Sequence, residues 1–213
     1  MLTVIYLIMA AIHLVFTVYA VRLWLRNRSI YTGLAAAVLA GLFYDNFIIG
    51  IGAFIGEGSL LQSLNWLRFA IHAFLTPTLI MFVVAIAIKF GVEWAKTSWA
   101  YIAFGILTLL MIGLGVYVDI IQLDLAPILE DGTLRYAHAE SAGPPIPAIV
   151  TIIVMMIIGV FVWRTGKWSV LFLGSLAMFI LAGAGASILV LSNIGEVLFA
   201  GSIVSSDYKA DSS

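Results

Sequence analysis

Long apolar runs separated by short polar breaks set the pattern of this chain. Runs near 2–23, 31–54, 68–89, 98–119, 147–164 and 168–190 each extend about 18 to 24 residues, enough to cross a hydrocarbon core of roughly 30 Å. A shorter run follows near 194–206. The first run is apolar from Leu2, and its first basic residue is Arg22. A cleaved leader carries its charge ahead of a shorter apolar core, so this run reads as a permanent first helix.

The C-terminal region admits two arrangements. Two short spans turning at Gly183 to Ser187 would put Glu196 near the middle of the membrane. Alternatively, one span ends near Ser192 and Asn193, and Ile194 to Ser206 forms a re-entrant piece. The first is preferred, and it predicts an all-α, polytopic membrane bundle of seven transmembrane helices (six in the alternative). Residues 1–206 form one helical domain with an external loop at about 120–146. The polar tail 207–213 is expected to fray.

Composition strengthens the membrane reading. Hydrophobic residues make up 63% of the chain and charged residues 10%, where a soluble domain carries about a quarter charged. A net charge of −1 gives no basic face for phosphate backbones, so no nucleic acid is expected as a partner. The absence of cysteine excludes disulfides, thiolate nucleophiles and thiolate metal sites.

Charge then sets the orientation. Arg22, Arg26, Arg28, Lys89, Lys96, Arg164 and Lys167 fall in the first, third and fifth connections, whereas the second and fourth hold only Arg68 and Arg135. Basic connections stay cytoplasmic, which predicts a multi-pass protein with an extracytoplasmic N-terminus, expected in a bacterial inner membrane. The long fourth connection contains Asp131-Gly132 between alternating residues, a hairpin signal. Gly143 to Pro147 forms a stiff lead into the next helix. Asp119, Asp124, Glu130, Asp131 and Glu140 make this outer face acidic.

Candidate chemistry lies in the outer half. Asp45 and Asn46 interrupt an apolar run, at a cost of about 2.5–3.5 kcal/mol for a mid-helix aspartate. Arg68, His72 and Thr76 follow i, i+4, i+8 spacing and share a helix face, and Thr76 falls level with Asp45. Pro77 removes the helical donor of the Ala73 carbonyl. His13, Glu57, Asn65, Asp119, Glu140, Asn193 and Glu196 can gather on the same side. Pairing of Asp45 with Arg68 or a protonated His72 would offset the burial cost.

Each feature also has a purely architectural reading. Asp45–Arg68 can be an interhelical tie, His72 and His13 packing residues, and Arg68 a side chain reaching for headgroups. Asn193 and Glu196 can cap and begin the last helix. Tyr44, Trp66 and Trp99 suit membrane-level packing. Gly52-x-x-x-Gly56, Gly183 and Gly185 suit close helix contacts, and through such faces a homo- or hetero-oligomer.

The preferred expectation is binding, and conversion by acid/base chemistry, of a lipid-like or isoprenoid small molecule. Asp45, His72 and Glu196 are the catalytic candidates. Arg68, Asn46, Tyr44, Thr76 and Asn193 are the binding candidates, with Arg68 orienting an anionic group. Membrane lipids and a hydrophobic small molecule are the expected partners. A non-catalytic scaffold or pigment-binding subunit and a proton-coupled transporter are the alternatives. No cofactor can be assigned: a haem or chlorophyll on His13 and His72, or a metal on Asp45, His72, Glu196 and His13, has no supporting spacing. The segments YDN, GEG, RFxxHAxxTP and GPPIP resemble signatures of a bacterial membrane-protein family to which no activity attaches.

Overall fold

The computed structural model describes residues 2–139, 143–185 and 189–212. The expected positions Glu140, Ala186, Ser187 and Ser213 lie outside the described residues. Eight α-helices and one β-hairpin make up the described chain: α1 (Leu2–Asn27), α2 (Ile30–Ile55), α3 (Ser59–Leu75), α4 (Leu79–Lys89), α5 (Ser98–Val116), β1 (Leu125–Glu130), β2 (Thr133–His138), α6 (Ile146–Gly166), α7 (Val170–Gly185) and α8 (Leu189–Asp211). Pro77 lies in a single 3-10 turn, Thr76–Thr78, which joins α3 and α4 into one rod of 31 residues. This rod starts at Ser59, well before the expected residue 68, because Gln62, Ser63 and Asn65 lower the hydropathy of a segment that still follows helical spacing.

Among the described residues, five helical rods are long and apolar enough to cross a membrane: α1, α2, α3–α4, α5 with its continuation to Ile121, and α6. In α2, 61% of the apolar window is buried, against 11% in α5. α2 is therefore the central element and α5 a peripheral one. Trp99, Ile102, Ile106, Leu109 and Leu110 are all exposed on α5, an outward apolar stripe of the kind that water-soluble monomers rarely present. α7 has 16 residues and runs antiparallel to α8, with Gly185 against Ser192 and Gly174 against Ser202.

Local chemistry explains the turns. Ser29 caps α2 by accepting from the Thr32 amide. At the other end of α2, Gly56 takes φ 82° and Gly58 φ 151°, and the chain reverses into α3. The hairpin pairs Leu125 with His138 through Glu130 with Thr133. Asp131 and Gly132 both adopt positive φ, as a two-residue turn matched to strand twist requires. The expected hairpin is thus present, the one non-helical element of the described fold.

The hairpin lies across α2. A Cβ on Gly52 would collide with the carbonyl oxygen of Leu134, so the Gly52-x-x-x-Gly56 pair serves the hairpin and the helix end rather than a helix–helix contact. Gly183 meets no described residue closely, whereas Gly185 meets Ser192. Thr3 donates from Oγ1 to the Gly132 carbonyl at 3.0 Å. The start of α1, the α2–α3 turn and the hairpin therefore share one end of the bundle.

The opposite end is held by charge. The tail expected to fray is helical to Asp211. Lys89 donates to Asp211 at 2.6 Å and to Asp207 at 3.4 Å. Asp211 also accepts from Asn27 at 2.9 Å and from Arg26 at 3.3 Å. Trp168 donates from Nε1 to the Ser206 hydroxyl. These bonds fasten α1, α4 and the start of α7 to the last turns of α8.

Candidate functional site

Asp45 projects from the middle of α2 and is 5% exposed. Arg68 of α3 donates from Nε to Asp45 Oδ1 at 2.8 Å, and a second donor, Nη1, goes to Asn65 Oδ1. His72, one turn further along α3, places Nε2 at 3.5 Å from the same Asp45 oxygen. Its Nδ1 lies 3.3 Å from the Thr76 hydroxyl. A carboxylate only accepts, so the Asp45 contact selects the tautomer with hydrogen on Nε2, and Nδ1 is left to accept from Thr76. The i, i+4, i+8 spacing thus becomes a chain running carboxylate, imidazole, hydroxyl.

α8 supplies the facing wall. Asn193 donates to Glu196 Oε2 at 3.3 Å and to Asn46 Oδ1 at 3.3 Å. Asn46, fully buried, donates back to the Leu42 carbonyl of its own helix. Between these walls lies a cavity of about 330 Å³ bordered by Asp45, Arg68, His72, Thr76, Asn193 and Glu196. Its other walls are mostly apolar: Phe69 and Ala73 of α3, Ile149 and Ile152 of α6, and Met178 and Ala182 of α7.

Of the eight residues expected at a site, six border this cavity. Asn46 stands behind it as the partner of Asn193. Tyr44 lies apart: its hydroxyl donates to the Leu64 carbonyl at 3.0 Å, and its ring packs against the cluster of Ile48, Leu61 and Tyr136. His13 is fully buried on α1 and bonds the Met9 carbonyl. Among the described residues no three His, Asp or Glu side chains form a metal-binding group.

Two features of the cavity have no site role in the sequence reading, which expects Asp119 only to gather on this side and the 143–147 lead only to be stiff. Asp119 borders it because α5 ends in a π-helical turn, Tyr117–Ile121; such turns recur at functional sites. Asp119 Oδ1 lies 3.5 Å from His138 Nε2 on β2, and the His138 ring meets Phe69 edge-on with centroids 5.2 Å apart. The pairing connects residues 19 apart, and only the hairpin register brings them together. Pro145 and Pro147 also border the cavity, so the stiff lead into α6 forms part of its wall.

No family model, curated protein or solved structure matches this chain.

Proposed function

We propose that the chain is a seven-span membrane protein with its N-terminus extracytoplasmic, and that the cavity between α2, α3, α6, α7 and α8 binds and converts a lipid-like amphiphile. The observation that carries this reading is the shape and lining of the cavity. Apolar side chains of α6 and α7 line the same space as Glu196, His72 and Asp45. Sites for small molecules combine apolar linings with a few convergent polar groups in this way.

The lining also indicates the head of the ligand. Three carboxylates (Asp45, Asp119 and Glu196) and one guanidinium border the space. Arg68 already gives two donors to Asp45 and Asn65, which leaves it poorly placed to take a phosphate. A hydroxyl or amine head, rich in donors, fits these acceptors better. His72 would take a proton through Nδ1 from a ligand hydroxyl standing near Thr76, with Asp45 steadying the imidazolium. Glu196 on α8, in its acid form, would give a proton to another atom of the ligand, so the conversion supported is an isomerisation in which one proton leaves, one arrives and no group is lost.

The test is mass spectrometry of the purified protein and of its organic extract. Wild type is expected to retain an amphiphile that Ala182→Phe, which fills the apolar wall, releases. Glu196→Gln is expected to retain the ligand unconverted. A wild-type protein that carries nothing, and behaves identically to Ala182→Phe towards added long-chain alcohols and amines, overturns the reading.

A further inference from the structure

A second concavity, separate from the polar cluster, lies between α1 and α8 and has a volume of about 550 Å³. Phe16, Tyr19 and Leu23 of α1 and Gly201, Val204 and Tyr208 of α8 line it. Arg22 and Arg26 close one end. Tyr19 and Tyr208 remain more than half exposed, as does Val15 at the far end. Gly201 keeps the floor low, since its nearest neighbour is the Phe16 ring.

Dimensions and charge identify the occupant. From Val15 to Arg26 the groove follows α1 for about 16 Å at 1.5 Å per residue. Half of a roughly 30 Å hydrocarbon core is nearly the same length. The groove thus spans one leaflet, and its cationic end falls where headgroup phosphates lie. Arg22 is exposed, has no carboxylate partner among the described residues, and stands 6.0 Å over the Tyr19 ring. Arg26 stands 5.9 Å over the Tyr208 ring and reaches Asp211 at 3.3 Å.

We infer that this groove is a binding site for an anionic phospholipid of the cytoplasmic leaflet. One acyl chain lies between α1 and α8, and the phosphate meets Arg22 and Arg26. The inference rests on the membrane-spanning orientation proposed above, but not on the outer cavity or its ligand. Each arginine contributes the attraction of a basic side chain to an anionic headgroup, about five-fold in affinity.

The experiment is native mass spectrometry of detergent-purified protein titrated with phosphatidylglycerol or with phosphatidylcholine of the same acyl chains. Wild type is expected to retain phosphatidylglycerol in preference, by about five-fold per arginine. Arg22→Gln should lose one such step, Arg22→Lys should keep most of it, and Val204→Trp should lose the bound lipid altogether. Ala182→Phe, which alters only the outer cavity, should leave phosphatidylglycerol in place, so failure of the two readings is distinguishable. Equal retention of the two lipids by wild type would overturn the inference. So would a phosphatidylglycerol preference that persists undiminished in both Arg22→Gln and Val204→Trp.

Discussion

Two ion clusters stand at opposite ends of the same bundle. Near the hairpin end, Asp45, Arg68 and His72 cross from α2 to α3 and face a cavity. At the other end, Lys89, Asp207, Asp211, Arg26 and Asn27 tie the end of α8 to α4 and α1. In the second cluster each carboxylate meets a cation, and of its members only Arg26 also borders a groove. The first adds Glu196 and Asp119 to a single buried ion pair and leaves both facing open space. At one end the carboxylates are taken up in fastening helices; at the other, two of them stay available to something that is not protein.

Four single substitutions and one double variant test this contrast, the single ones in order of falling effect. Asp45→Ala strands Arg68, whose side chain is only 11% exposed, and is expected to cost about 3–5 kcal/mol in reversible unfolding. Asp45→Leu with Arg68→Met should recover most of that loss, since it removes both charges together. If the single variant melts like wild type, Asp45 is not holding α3, and the contrast between the ends fails. Lys89→Met takes from the nearly buried Asp207 its cation, while Asp211 keeps Arg26, and should cost about 1.5–3 kcal/mol in the same unfolding measurement.

Glu196→Gln should change stability by less than about 1 kcal/mol, because the amide oxygen can still accept from Asn193. Ligand retention or turnover should nevertheless fall at least about ten-fold, the loss of a proton-transfer group being worth roughly a hundred-fold or more. A variant that loses stability but keeps its ligand would reassign Glu196 to fastening. Arg26→Gln, at a side chain 54% exposed, is expected to stay within about 1 kcal/mol of wild type. A larger loss in the same denaturation series would mean that the exposed half of the clasp carries as much as its buried half.

The features readable from the chain were those set by neighbours close in sequence. Asp131-Gly132 announces its hairpin because the turn chemistry is contained in two residues. The spacing of Arg68, His72 and Thr76 places them on one face whatever surrounds them. What the spacing reveals is proximity; it assigns no role. Asp119 meeting His138 depended on strand register, which no local pattern expresses. The last turns of α8 look like a solvated tail until Lys89, 118 residues before Asp207, is known to lie beside them. The early start of α3 was hidden for a different reason: Gln62, Ser63 and Asn65 depress hydropathy, and of these Asn65 is fully buried, bonding the Leu61 carbonyl and Arg68.

The clasp at the end of α8 has a practical consequence for anyone shortening the protein. Residues 207–213 have the look of a dispensable appendage, and cutting after Ser206 would seem harmless. It would delete Asp207 and Asp211 in one stroke, leaving Lys89 and Arg26 facing each other's charge across a gap where α8 used to end. A trimmed chain should therefore extract poorly and unfold early, because of residues distant from the cut in sequence but beside it in space.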